Sequence, residues 1–331
     1  MCSRRVFRDF SKLFTVRGYC SKTTLSNSEV RALRNEIFEN EKQRQMALVT
    51  RVEKIQVKNV DDINPCKLIM NKGLSTPYNI AMHFNKFYRD RSALALVNGE
   101  LWDMLRPLTD DCEVTLLHFK SDDPREVNKA YWRSCSHMLG NIIDSAFKND
   151  YFIELVKVPD IPVTAGCFAY DADLKMDSWK PTTKELMCLG QEGFRLYEQS
   201  LPFERLEVDT SIALQIFKHN QYKKQQIEEC GRSSIVLYRC GDFVDISDGP
   251  MVTNTGFARN YSVTAVHDII SKTSSRGCLQ RFQGVALPRD FYKIHHTTWE
   301  PIEERASKPV YIDSEGPWEA DKENLKDEAS G

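Results

Sequence analysis

Apolar positions along this chain follow two alternating periods. In residues 26–46, Val30, Leu33 and Ile37 fall on one side of a helical turn with charged residues opposite. Ser26, with Glu29 three positions on, carries a capping-box signature. The pattern predicts one helix laid over another surface. From residue 52 the period drops to two, and VEKIQVKNV and CKLIMNKGL read as the strands of a hairpin. Thr76-Pro77 then opens a helix, with Thr as N-cap, Pro in the first turn, and Ile80, Phe84 and Phe87 on its inner face. ALALV and ELWDM flank Asn98-Gly99, a strong short hairpin signal, and EVTLLHFK closes the unit. Strand, strand, helix and further strands between residues 52 and 120 predict a β-grasp fold.

A polar joint, DDPREV (122–127), follows. Beyond it the pattern predicts helices over 126–147, 182–199 and 209–219. The strand-like pieces are YFIELVKV, GCFAYDADL, SIVLYRC, GDFVDI and NYSVTAVHDI. This is an α+β region running to Asp290. After Trp299 periodicity fades and PWEADKENLKDEASG is acidic, which predicts a largely disordered tail. The expected division is therefore 1–25, an N-terminal helix in 26–50, the β-grasp unit in 51–121, the α+β domain in 122–300, and the tail in 301–331.

The first 25 residues change the picture of location. Val6, Phe10, Leu13 and Phe14 share one helical face while Arg4, Arg5, Arg8 and Lys12 take the other, against a single Asp9. Basic, hydroxyl-containing and amphipathic is the composition of a mitochondrial transit peptide, with cleavage expected between Arg17 and Ser28 and the matrix as destination. A basic RNA-binding arm is the alternative. A net charge of −2 lacks the positive surplus of proteins that grip nucleic acid strongly, so any RNA contact should be local. No apolar run approaches the roughly 18–20 residues of a membrane span. The ten cysteines show no C-x-x-C and no zinc-finger spacing, which predicts reduced, mostly buried thiols. Neither a P-loop nor G-x-G-x-x-G occurs, so no nucleotide-binding signature is present.

Several stretches carry a resemblance, in order, over residues 52–290. VNGELWDMLRPLTDDCEVTLL resembles the closing half of a TGS domain, the ubiquitin-like module of threonyl-tRNA synthetases. WRSCSHMLG resembles the synthetase editing-domain helix, H-S-x-A-H-x-L-G, and GCFAYDADL its G-F-Y-Y-D strand. GDFVDISDGPMV resembles the x-Y-V-D-x-C-x-G-P-H segment, and LQRFQGVAL the closing L-Q-R-x-Y-G-x-A. The resemblance implies a TGS domain followed by a threonyl/alanyl-tRNA synthetase editing-like α+β domain. No ATP- or amino-acid-binding motif follows it.

The same resemblance locates a site and shows it altered. The family's two histidines, cysteine and final histidine correspond to Arg133, His137, Ser247 and Met251. On a helix, positions i and i+4 are neighbours, so Arg133, His137 and Asn141 form a polar stripe beside an apolar face of Trp132, Leu139, Ile142, Ile143 and Ala146. An arginine stays protonated and offers no lone pair, so it can neither take a proton nor hold a metal. Serine and methionine remove the remaining soft and imidazole ligands. The expectation is no catalytic residue, no cofactor and no metal, with His137 a packing or hydrogen-bonding residue.

The combination of leader, capped helix, TGS-like unit, altered editing-like domain and acidic tail resembles the synthetase-like proteins of the mitochondrial large ribosomal subunit. That resemblance implies a structural, non-enzymatic part in mitochondrial translation. The implied partners are other large-subunit proteins and, to a limited extent, large-subunit rRNA, with no membrane insertion and no small-molecule substrate. A freestanding mitochondrial tRNA deacylase and a non-catalytic tRNA-binding factor are the alternatives. Lys86, Arg89 and Arg91 form a modest basic cluster, the candidate RNA or protein contact. Lys54, Lys58 and the pair Lys223-Lys224 read as solvated charges, and adjacent His295 and His296 diverge too far to share a metal.

Overall fold

The computed structural model describes residues 25–60, 65–176, 179–271, 274, 276–291 and 293–312. The expected transit peptide up to residue 24 and the acidic stretch from 313 onward lie outside the described residues.

Helix α1 (Asn27–Ala47) begins at the expected capping box, with Glu29 N donating to Ser26 Oγ at 3.3 Å and Ser26 N to the Glu29 carboxylate at 2.7 Å. It lies across the second domain as anticipated. Phe38 is fully buried beneath the Arg239 guanidinium at 4.7 Å, and Arg31 reaches Asp144 at 2.7 Å.

Strands β1 (Lys54–Asn59) and β2 (Cys66–Asn71) form the predicted antiparallel hairpin. Helices α2 (Pro77–Phe84) and α3 (Lys86–Arg91) follow, then β3 (Leu94–Val97), β4 (Glu100–Trp102) and β5 (Cys112–Leu117). The sheet order is β2-β1-β5-β3-β4, with the first and last strands paired in parallel at its centre. Ile80 and Ala81 of α2 are fully buried in the core that contains Val57 and Val114, so the unit is a β-grasp. Asn98 (φ 52°) and Gly99 (φ 83°) are both left-handed, as a type I′ hairpin turn requires. Phe87 departs from expectation and is 62% exposed. Extended Asn85 accepts a hydrogen bond from Tyr88 N and starts α3 as a separate helix, which breaks the period of α2.

Helix α4 (Arg125–Ala146) is the spine of the second domain. Every residue from Ser134 to Asp144 is buried, a wider coverage than an amphipathic stripe provides. Strands β6 (Glu154–Lys157), β7 (Phe168–Asp173), β11 (Ala258–Ile270) and β12 (Cys278–Pro288) form an antiparallel sheet ordered β11-β12-β7-β6. Helix α5 (Thr183–Gln199) packs on β11 and α4. Strands β8 (Phe203–Asp209), β9 (Ser234–Cys240) and β10 (Phe243–Ile246) form a second antiparallel sheet, with α6 (Thr210–Ile216) and α7 (Gln221–Cys230) between β8 and β9.

The two units share a core. Phe119, just beyond β5, meets Tyr131 at 5.3 Å and Phe257 at 5.8 Å, and Thr253 Oγ1 donates to Ser92 O at 3.0 Å. The polar joint therefore turns the chain without freeing the domains.

The expected tail boundary at 301 is corrected. Helix α8 (His296–Ser307) runs through it, and ordered contacts continue to residue 312. Ala306 is fully buried beside Cys167 and Val285, and Thr264 Oγ1 donates to Ala306 O at 2.9 Å. Gln283 Nε2 donates to Lys308 O at 2.9 Å and Arg281 Nη1 to Val310 O at 2.8 Å, strapping the segment across β12. The physical reason is an apolar series, Trp299, Ile302, Ala306 and Val310, that docks despite charged neighbours. Among the described residues no helix is long and apolar enough to cross a membrane.

Candidate functional site

Arg133, His137 and Asn141 stand one turn apart on α4, yet each meets different surroundings. The His137 ring, 1% exposed, lies edge-on to Phe243 at 4.9 Å and Phe203 at 5.7 Å between ring centroids. Among the described residues its Nε2 is buried without a hydrogen-bond partner. Burial pushes the imidazole down to about 4; the Asp245 carboxylate opposes that shift and the Lys223 charge adds to it. His137 is thus neutral near pH 7 and serves as packing.

Close to it lies a charged cluster that no sequence feature had assigned. Asn220 caps α7, and Lys223 extends inward from its first turn, 2% exposed. The Lys223 ammonium is 2.6 Å from Asp245 Oδ1, an ion pair buried on both sides. Lys223 Nζ also donates to Tyr170 OH at 3.0 Å, and that hydroxyl donates in turn to Asp245 Oδ2. Burial would raise the Asp245 carboxyl, but Lys223 and then His137 hold it below the usual carboxylate range. Gly140 lets Tyr170 approach α4, since a Cβ there would sit 2.7 Å from the Tyr170 ring. The reading of Lys223 as a solvated charge is therefore corrected: it is the cation of a buried ion pair.

Arg133 points elsewhere. Its Nε and Nη2 donate to Pro250 O at 3.2 and 3.0 Å, and a Cβ on Gly249 would come within 2.7 Å of its Cζ. The loop after β10 thus lies flat on the guanidinium. Ser247 Oγ turns back on that loop, donating to Gly249 O at 3.3 Å. Met251 is 2% exposed within the main core, and its N donates to Asp103 Oδ1 at 3.0 Å. No hydrogen bond joins His137 to Arg133, Ser247 or Met251 among the described residues. Nor do three or more His, Cys, Asp or Glu side chains gather there as a metal site would need.

A cavity of about 340 Å³ opens where the β-grasp unit meets β9, β10 and α7. Leu101, Asp103 and Arg106 line one side, and Arg205, Arg232 and Ser247 the other. His137, Lys223, Asp245 and Tyr170 are not part of its lining. Asp103 accepts from Tyr238 OH at 2.9 and 3.0 Å as well as from Met251 N; burial pushes its carboxyl up and these bonds oppose it.

The basic cluster on α3 is partly internal. Arg89 pairs with Asp90 at 2.7 Å, while Arg91 approaches His118 Nδ1 at 3.3 Å and lies 5.4 Å from the Phe87 ring. Lys86 is exposed, and with Phe87 and Met82 it forms a mixed surface. Lys58 pairs with Glu113 at 2.6 Å. His295 caps α8 through Nδ1, which accepts from Thr297 N at 3.3 Å, and His296 lies 3.2 Å from Glu300, so the two histidines serve α8 separately.

Two signals could have exposed the buried cluster. Lys223 and Ile227 lie four apart on one face of α7, and a cation in the first turn opposes the helix dipole unless a carboxylate faces it. Asp245 shares the inward face of β10 with Phe243, two residues earlier.

The model of the TGS domain family matches residues 60–118. The large ribosomal subunit protein mL39 of Drosophila melanogaster is 38% identical over 296 residues, covering 88% of this chain and 88% of that protein. A probable threonine–tRNA ligase 1 of Dictyostelium discoideum is 32% identical over 221 residues, 66% of this chain but 29% of the ligase. The threonine–tRNA ligase of Thermotoga maritima is 31% identical over 196 residues, again with 29% of its length covered. The similarity to these ligases thus spans less than a third of their length.

Proposed function

Since the chain belongs to the family of large ribosomal subunit protein mL39, we propose that it is a structural component of the mitochondrial ribosome's large subunit, supporting mitochondrial translation without chemistry of its own. The observation that carries this reading is 38% identity across nearly the whole of both chains. The synthetase-like fold is a scaffold, because fold alone does not confer reaction. Arg133, Ser247 and Met251 stand where the editing pattern has ligands and bases, and a guanidinium, a hydroxyl and a thioether cannot replace them. His137 remains as a neutral ring in an aromatic slot.

The protein works in the mitochondrial matrix after loss of the basic leader within residues 1–25. The TGS-like unit (51–121) and helix 26–50 offer protein surface, and the editing-like domain (122–300) carries its strap to residue 312. Contact with rRNA is limited, consistent with a net charge of −2, and the α3 surface of Lys86, Arg89 and Arg91 meets RNA or a neighbouring protein. Sedimentation of mitochondrial lysate tests the reading. The protein should run with intact ribosomes in magnesium and with the free large subunit after chelation. Migration as a small soluble species in both conditions would overturn it.

A further inference from the structure

The cavity between the β-grasp unit and the β8–β10 sheet is lined by three arginines and two aspartates. Arg106, Arg205 and Arg232 line it together with Asp103 and Asp248. Asp103 already accepts from Tyr238 and Met251, and Arg232 meets Asp248 only at 3.7 Å in an exposed pair. Arg205 is drawn to Glu207 at 3.0 Å and lies 3.8 Å from Asp103. Arg106 stacks on Trp102 at 3.5 Å, and among the described residues no carboxylate comes within ion-pair distance of it. Burial, and then the charge of Arg205, hold the Arg106 guanidinium below its ordinary value. Arg133 adds a further cation directly behind the Gly249–Pro250 wall.

Its size and its walls suit a ligand. Ile227, Ile235 and Ile246 give it apolar walls, and about 340 Å³ suits one compact organic body.

We propose that this cavity binds a phosphate ester of nucleotide size, its phosphate held by Arg106, Arg205 and Arg232. Planar guanidinium groups match phosphate oxygens in a way that lysine does not. No glycine-rich loop takes part, so the anion is held by side chains. The ligand is a free nucleotide or the phosphorylated end of an RNA, which share this chemistry. The proposal is independent of the ribosomal reading: purified chain tests the former and sedimentation the latter.

The test titrates full-length chain calorimetrically with AMP, adenosine and a 5′-phosphorylated RNA trinucleotide. Alkylation of Cys230, an exposed thiol on the cavity lining, is followed in parallel by mass spectrometry. AMP should bind where adenosine does not, and should slow alkylation of Cys230. Arg106→Gln should weaken binding about ten- to hundredfold, the cost of one charged hydrogen bond. Arg232→Gln, at a side chain 66% exposed, should keep the fold and also weaken binding, which preserves the test if Arg106→Gln misfolds. Binding of the phosphorylated RNA alone would identify an RNA end as the source and uphold the phosphate site. Equal binding of adenosine and AMP, unchanged affinity in both variants, or no binding of either phosphate ester would overturn the proposal.

Discussion

Replacing Lys223 with methionine keeps the volume of the side chain and removes its charge. Asp245 would then be a fully buried carboxylate with Tyr170 as its remaining hydrogen-bond donor. Breaking a buried pair from one side costs about 3–5 kcal/mol. The carboxyl can escape part of that by taking a proton. At pH 7 this escape costs about 4 kcal/mol, from about 3 pH units above an ordinary aspartate value at 1.36 kcal/mol each. The two figures agree on about 3–4 kcal/mol, or a fall of roughly 6–15 °C in Tm.

The pH dependence supplies the sharper check. In the native protein the Asp245 value is depressed, so its contribution is present above the unfolded value and lost as pH falls through the folded one. In the Lys223→Met variant the folded value lies above the unfolded one. Its penalty therefore grows as pH rises and shrinks on acidification. Urea unfolding at pH 7 and pH 4.5 should show the gap between the two proteins narrowing by about 3 kcal/mol. The double variant Lys223→Met/Asp245→Asn should regain most of the loss at pH 7. A gap under about 1 kcal/mol at pH 7, or one indifferent to pH, would refute the assignment of Lys223 and Asp245 as a buried ion pair.

Three further outcomes follow from the same structure. The His137 value is depressed to about 4, so the unfolded chain takes the proton first and stability falls by about 3 kcal/mol as pH drops from 6.5 to 4; His137→Phe should flatten that fall in a pH series of denaturant titrations. Gly140→Ala places a Cβ 2.7 Å from the Tyr170 ring and should cost about 1–3 kcal/mol of unfolding free energy by the same titrations. Ala306→Asp puts an unpaired charge under α8 and should cost at least about 2 kcal/mol, read together with faster proteolysis between residues 290 and 312.

Local chemistry made much of the β-grasp unit legible. The Thr76 cap, the Asn98-Gly99 turn and the period-two strands each act within a few residues and each stands where the pattern put it. The one slip, Phe87, is also local: a second cap at Asn85 restarts the helix. The burial of Lys223 was not recognised although its place in the first turn of α7 hinted at a carboxylate, because its partners come from β10 and β7, in other parts of the chain. The same holds for the strap of α8, whose apolar positions are diluted by Glu300, Glu303 and Glu304 and make sense only against β12. Alternation recovered most strands but missed β8, where two charged residues of LPFERLEV interrupt the inward series, and β12, which is buried almost throughout and does not alternate.

The buried ion pair also ties the second domain together without help from Arg133, Ser247 or Met251. Lys223, Asp245 and Tyr170 tie α7, β10 and β7 together, and removal of one member leaves the others buried and unpaired, a cost of several kcal/mol. Arg133, Ser247 and Met251 make their contacts outside that cluster. Arg133 satisfies itself on a backbone carbonyl, Ser247 on its own loop, and Met251 in apolar packing. Each can change without leaving a buried charge behind. Because the Arg133 guanidinium presses on the Gly249–Pro250 wall, it places positive charge behind the neighbouring cavity. Arg133→His should therefore restore no hydrolysis of mischarged tRNA, since Ser247 and Met251 still lack the missing groups, while it weakens phosphate binding in the cavity. Release of serine from that tRNA by the single variant, above a buffer control, would show that the lost chemistry rests on that one position.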